Sequence, residues 1–147
     1  MTGFLITGHG NFASGIISAV ELVAGRTNRL VGVDFLESYS TDDLEGKLLN
    51  ALEELQKDYE EILILSDLTG GSPYNQSVMI KMKNPQLNIE VISGSNFPMV
   101  IAGIFEGEGM TLKELTHSMI VKGRESINCF VPAPSVKTTN NEREDEI

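Results

Sequence analysis

The chain has 147 residues, of which 41% are hydrophobic and 22% are charged, the composition of an ordinary single globular domain. Its formal net charge of -10 argues against binding to bare nucleic acid or to an anionic membrane surface. No apolar run is long enough to span a bilayer and no signal-peptide pattern opens the chain, so we expect a cytoplasmic protein.

Short apolar runs alternate with segments of helical periodicity along most of the chain. In chain order, strands are predicted at 3–7, 29–35, 61–67, 89–94 and 127–131, and helices at 12–24, 40–58, 72–83, 97–107 and 111–121. Alternating strands and helices favour βαβ units. We therefore predict an α/β fold with a doubly wound, mostly parallel four-stranded sheet flanked by helices, and one further strand at the C-terminal end.

Several residues at the starts of these segments are typical helix signals. Ser40 or Thr41 is expected to cap the second helix, and Thr111 the last one. Ser72 and Pro73 are expected to be the N-cap and the first residue of the third helix.

The loops that follow the strands are the place to look for chemistry, because ligands of such sheets bind outside the carboxyl ends of the strands. These loops read TGHGNFASG, DFLESYS, SDLTGGSPYN and SGSNFPM, and three of them combine glycine and hydroxyl residues with a helix start. Helix N-termini favour anions. The loops contain no lysine or arginine and match no P-loop, so they suit a single phosphoryl group held by neutral donors better than a nucleotide.

His9 is the candidate catalytic residue, since it follows the first strand between Gly8 and Gly10. The glycines leave the imidazole open to a large partner, and a neutral imidazole is a nucleophile. A carboxylate that accepts the Nδ1 proton would leave Nε2 as the attacking atom. Asp67, after the third strand, is the expected carboxylate, with Asp34 a weaker competitor. The alternatives are that His9 only caps a loop and that Asp67 only forms a turn.

The other chemically active side chains carry less weight. His117 has no second ligand at helical spacing, so no metal site and no cofactor are predicted. Cys129, the one cysteine, is expected to be a buried and inert thiol. Met79 and Met82 are expected to lie in the core.

The segments GFLITGHGNFASGI, LSDLTGGSPYN and SGSNFPM, taken together and in this order, resemble the EIIA component of the mannose family of the sugar phosphotransferase system. The resemblance covers residues 1–131. It implies a histidine phosphocarrier, and therefore a phosphotransferase, with His9 and Asp67 as the catalytic pair. It also implies a set of residues around the phosphoryl group, namely Gly10, Thr69, Gly70, Gly71 and Ser72.

The resemblance further implies a set of partners. His9 would accept the phosphoryl group from the phosphohistidine of the carrier HPr and pass it to an EIIB component. The membrane would be involved only indirectly, through the EIIC and EIID components that import the sugar. In the family the last strand is exchanged within a homodimer, and 127–131 would be that strand; an exposed apolar edge is otherwise a liability.

The chain end differs in composition from the rest. Residues 132–147 are rich in proline at first and then polar and charged, which indicates a flexible tail or a linker remnant. Some family members continue through such a linker into an EIIB domain. Here the EIIB partner is expected to be a separate chain.

Three other functions are compatible with the same residues. A related domain donates phosphoryl groups to a dihydroxyacetone kinase instead of an EIIB component. A small hydrolase or isomerase could use His9 and Asp67 as acid and base, in a deeper pocket. A phosphate-sensing module would need no nucleophile at position 9.

Overall fold

The computed structural model describes residues 1–134. They form four strands and five helices in alternating order, apart from two consecutive helices at the end. The elements are β1 (Thr2–His9), α1 (Phe12–Ala24), β2 (Leu30–Phe35), α2 (Thr41–Gln56), β3 (Glu61–Ser66), α3 (Ser72–Lys83), β4 (Asn88–Ile92), α4 (Phe97–Glu106) and α5 (Leu112–Glu125). The predicted fold class is confirmed.

The four strands are all parallel and lie in the order β2-β1-β3-β4. The order reverses direction between β1 and β3, so the loops after these two strands diverge and leave an opening at the carboxyl edge. In the register of the sheet, Thr7 of β1 pairs with Ser66 of β3. Because β1 continues to His9 and Asp67 directly follows Ser66, the two candidate catalytic residues meet at this opening.

Alternating residues of the central strands supply two separate cores, one on each face of the sheet. Phe4 and Ile6 of β1 belong to the core under α1, α4 and α5, whereas Leu5 belongs to the core under α2 and α3. All three side chains are fully buried. Each such burial stabilises the fold by roughly 1.5–3 kcal/mol, so the strand that carries His9 is held rigidly from both sides.

The helix starts follow the sequence signals at two of three places. Ser40 with Asp43, and Thr111 with Glu114, form complete capping boxes at α2 and α5. The prediction for α3 is wrong by one residue, because Gly71 is its N-cap and Ser72 is already its first helical residue. The Gly71 carbonyl, not that of Ser72, accepts the first helical hydrogen bond.

The predicted C-terminal strand does not form within this chain. Residues 127–131 pair with none of the four strands, and Ile127, Phe130 and Val131 are exposed. The expectation that Cys129 is buried is therefore wrong, since nothing in the described part of the chain covers this segment and its thiol is exposed. Strand exchange with a second copy stays a prediction.

Two further sequence predictions concern burial and the chain end. Met79 and Met82 lie on the outer side of α3 and are 45% and 73% exposed, so their assignment to the core is wrong. The predicted tail at 132–147 falls almost entirely outside the described residues. Among the described residues, no helix combines the length and apolar character that a membrane crossing requires.

Candidate functional site

His9 is the last residue of β1, and the chain turns away from the sheet directly after it. Gly10 makes this turn with a φ of +57°, a conformation that favours glycine. The Gly10 N–H donates a hydrogen bond of 2.8 Å to the Phe35 carbonyl at the end of β2. The His9 side chain remains 47% exposed at the carboxyl edge of the sheet, so a protein partner can reach it.

Asp67 holds both the backbone and the ring of His9. Its Oδ2 accepts a hydrogen bond of 2.8 Å from the His9 N–H, and the same oxygen lies 2.8 Å from His9 Nδ1. Its Oδ1 accepts from the Leu68 N–H at 2.8 Å. Because an ionised carboxylate only accepts, the hydrogen of a neutral imidazole sits on Nδ1 and the lone pair sits on Nε2.

Three hydrogen bonds keep Asp67 ionised. Partial burial acts to raise the pKa of Asp67, but hydrogen bonds from the His9 N–H, the His9 ring and the Leu68 N–H outweigh it. The pKa of Asp67 therefore lies below the ordinary carboxyl value.

This lowered pKa gives the stability of the fold a defined dependence on pH. A carboxyl with a lower pKa in the folded state stabilises the fold above its unfolded pKa of about 3.9, and this contribution disappears as the pH falls through the folded value. We expect Asp67→Asn to lower the free energy of unfolding at pH 5 and to lower it much less at pH 3. Urea unfolding of both proteins at the two pH values measures this difference. A larger loss at pH 3 than at pH 5 would contradict the role given to Asp67.

The turn after β3 brings the start of α3 against the imidazole. Gly70 has a φ of +84°, and the Gly71 N–H donates to the Leu68 carbonyl at 3.1 Å. A Cβ atom added at Gly71 would lie 2.6 Å from His9 Cε1 and 3.3 Å from Nε2. The missing side chain at position 71 is therefore what lets the ring approach the helix.

The first turn of α3 provides suitable donors for an anion beside Nε2. The first N–H groups of a helix have no partner inside it and carry a partial positive charge. Ser72 and Tyr74 lie in this first turn, whereas Pro73 has no N–H to offer. Ser72, the first residue of α3, is half-buried and contributes a hydroxyl to this turn.

The structure brings together most of the residues that the sequence singled out. His9, Asp67, Gly70, Gly71 and Ser72 lie at one edge, and Gly10 and Thr69 are in the loops that adjoin them. The weaker competitor is excluded as the partner of His9, because the Asp34 carboxylate accepts instead from the Ser14 N–H at 2.9 Å.

Sequence reasoning missed three side chains at this edge. The Phe35 ring lies edge-on to the His9 ring, with 5.9 Å between their centroids and an angle of 64°. Asn75 donates from its side chain to the Gly70 carbonyl at 2.9 Å. Ser93 lies with its hydroxyl 2.6 Å from that of Thr69. Of these three, Phe35 could have been predicted from the sequence, because it ends a predicted strand and so lies at the edge of the sheet where His9 lies.

Within residues 1–134, no three His, Cys, Asp or Glu side chains are grouped closely enough to bind a metal ion. His117 lies exposed on α5, far along the chain from the site.

The fold and the site together define a doubly wound α/β protein with an exposed histidine oriented by a carboxylate at the switch point of the sheet. The family model EIIA-man, described as "PTS system fructose IIA component", matches residues 3–120. The chain therefore belongs to this family, as the sequence resemblance predicted, and is an EIIA component of a sugar phosphotransferase system (PTS).

Individual relatives are similar to this chain along nearly its whole length. The chain is 28% identical to the "PTS system fructose-specific EIIA component" of Bacillus subtilis (strain 168), with 100% of both chains covered. It is also 28% identical to the "PTS system sorbose-specific EIIA component" of Lacticaseibacillus casei, with 97% of both covered. Among solved structures, the PTS component EIIA from Streptococcus agalactiae is 33% identical, with a TM-score of 0.80 over 88% of this chain and 98% of that one.

Proposed function

We propose that this protein is a histidine phosphocarrier that accepts a phosphoryl group from phospho-HPr on His9 Nε2 and passes it to an EIIB component. The observation that carries the proposal is that the two nitrogens of the His9 ring have different environments. Asp67 occupies Nδ1 at 2.8 Å, which leaves Nε2 as the free nitrogen of a side chain that is 47% exposed. Membership of the EIIA-man family supports the same reaction class.

In the proposed reaction, the lone pair of His9 Nε2 attacks the phosphorus of the donor phosphohistidine. A new N–P bond forms as the donor N–P bond breaks, and the donor imidazole leaves with the electron pair. The positive charge that develops on the His9 ring is stabilised by Asp67, whose carboxylate stays ionised because its pKa is lowered. In the transfer to EIIB, phosphorylated His9 is the donor. A nucleophile of EIIB attacks the phosphorus, the His9 N–P bond breaks, and the His9 imidazole leaves with the electron pair.

The proposal assigns the phosphoryl group to the space beside the first turn of α3. Its oxygens would accept hydrogen bonds from the Gly70 and Ser72 N–H groups and from the Thr69 and Ser72 hydroxyls. Gly10 and Gly71, whose N–H groups donate to the Phe35 and Leu68 carbonyls, would leave room for the group because they lack a side chain. Neutral donors stabilise the group without the strong charge that would make its release slow. The exposed histidine suits this exchange between proteins better than turnover of a small substrate, for which enclosed pockets are typical.

Several features of the wider system belong to the same proposal. Residues 1–131 would form the EIIA domain and 132–147 a tail or linker remnant. The exposed apolar residues Ile127, Phe130 and Val131 support a homodimer that exchanges this segment. We also propose that the protein is cytoplasmic and that it contacts the membrane only indirectly, through the EIIC and EIID components.

The proposal is tested by phosphoryl transfer with purified components. The protein is mixed with phosphoenolpyruvate, Enzyme I and HPr, and intact mass is followed. We expect one acid-labile phosphoryl group per chain, which requires HPr and is discharged when EIIB is added. No uptake in the presence of a competent HPr would overturn the proposal. Discharge by a dihydroxyacetone kinase but not by EIIB would assign the protein to the related pathway instead.

A further inference from the structure

The turn that carries Thr69 contacts the loop after β4 through one pair of hydroxyl groups. Thr69 Oγ1 lies 2.6 Å from Ser93 Oγ, a short distance for two neutral hydroxyl groups. Thr69 belongs to the exposed turn after β3, whereas Ser93 directly follows β4. The pair therefore joins two of the loops at the carboxyl edge.

Hydrogen bonds to the central sheet hold the residues on either side of Ser93. The Ser66 hydroxyl, fully buried at the end of β3, donates to the Ile92 carbonyl at 3.0 Å. The Ser95 N–H donates to the Ser66 carbonyl, also at 3.0 Å. The backbone on both sides of Ser93 is thus hydrogen-bonded to β3, which fixes the position of Ser93 relative to the sheet.

The turn that Ser93 contacts has mainly local support. The Gly71 N–H bonds to the Leu68 carbonyl inside the turn, and Asn75 bonds to Gly70 from the helix that follows. These contacts shape the turn but do not connect it to β4. The Ser93 hydroxyl supplies that connection, next to the position where Gly71 approaches the His9 ring.

We propose that Ser93 is a positioning residue for phosphoryl transfer at His9 and that it acts through Thr69. The inference rests on the proposed phosphocarrier function. A hydroxyl has one hydrogen and two acceptor sites, so Thr69 can donate to a phosphoryl oxygen while it accepts from Ser93. Hydrogen bonds in such a chain strengthen each other, and the one to the anion is charge-assisted. Ser93 therefore both holds Thr69 in place and improves it as a donor.

The test compares rates of phosphorylation by phospho-HPr in matched variants. One positioning hydrogen bond corresponds to about a fivefold change in rate. We expect Ser93→Ala to lower kcat about fivefold, with the KM for phospho-HPr and the final one-group stoichiometry unchanged. Ser93→Thr keeps the hydroxyl and should restore the rate. Ser18→Ala is the matched control, because the Ser18 hydroxyl donates to the Gly15 carbonyl of its own helix at 2.7 Å.

A double-mutant cycle shows whether Ser93 acts through Thr69. In a Thr69→Val background, Ser93→Ala should cause no further loss. A wild-type rate for Ser93→Ala, or a further fivefold loss in the Thr69→Val background, would overturn the inference and leave the phosphocarrier function intact. If the wild-type protein accepts no phosphoryl group from phospho-HPr, the proposed function fails and this inference fails with it.

Discussion

Replacing His9 with alanine is expected to abolish phosphoryl uptake from phospho-HPr completely. The substitution removes Nε2, and the other histidine of the sequence, His117, lies on α5 and not at this edge. The fold should persist, because the side chain is 47% exposed and the residue 9 N–H still donates to Asp67. Intact mass after incubation with Enzyme I, HPr and phosphoenolpyruvate measures the uptake.

The chain offers a matched control for this experiment. His117 is the second of only two histidines in the sequence, and it lies exposed on α5. His117→Ala should take up one phosphoryl group at the wild-type rate. Uptake that survives His9→Ala but not His117→Ala would transfer the reaction to the other histidine and contradict the account of the site.

Placing a methyl group at Gly71 is expected to slow phosphoryl transfer about 100-fold, the scale that a misplacement of about 1 Å at a reacting atom can reach. The added Cβ would lie 2.6 Å from His9 Cε1, a distance that real Cβ atoms do not adopt, so the ring must move. The backbone itself accepts alanine, since Gly71 has a φ of -71° and a ψ of 162°. The effect therefore comes from the clash with the imidazole and not from backbone strain.

Gly46 provides the control for Gly71→Ala. It lies inside α2, where a Cβ would have open space, so Gly46→Ala should stabilise the helix by roughly 0.5–1 kcal/mol and leave transfer unchanged. The rates of phosphorylation of the two variants are compared with that of the wild-type protein. If Gly71→Ala transferred at the rate of Gly46→Ala, the imidazole could not lie where the structure has it.

The parts of the fold that sequence reasoning predicted correctly depend on local patterns. The apolar runs of β1 and β3 and the capping boxes at Ser40 and Thr111 are each visible within a few residues. The pairing of His9 with Asp67 was also predictable. It required only that both residues follow strands and that those strands be neighbours in a doubly wound sheet.

The missed features depend on how distant segments pack. The Phe35 ring reaches His9, and the Ser93 hydroxyl reaches Thr69, only because of the particular register of four strands. Met79 and Met82 have apolar side chains, but the orientation of α3 on the sheet turns them outward. Residues 127–131 pair with none of the four strands that the structure describes, because an apolar pattern predicts a strand without saying which segment it pairs with.

The central claim is that the phosphoryl group is carried on Nε2 of His9 while Asp67 keeps the proton on Nδ1. The most direct measurement is a long-range ¹H–¹⁵N NMR correlation spectrum of the ¹⁵N-labelled protein before and after phosphorylation. The account predicts that one imidazole, assigned to His9 by the His117→Ala variant, becomes phosphorylated at Nε2 and remains protonated at Nδ1. Phosphorylation of His9 at Nδ1, or of His117, would contradict it.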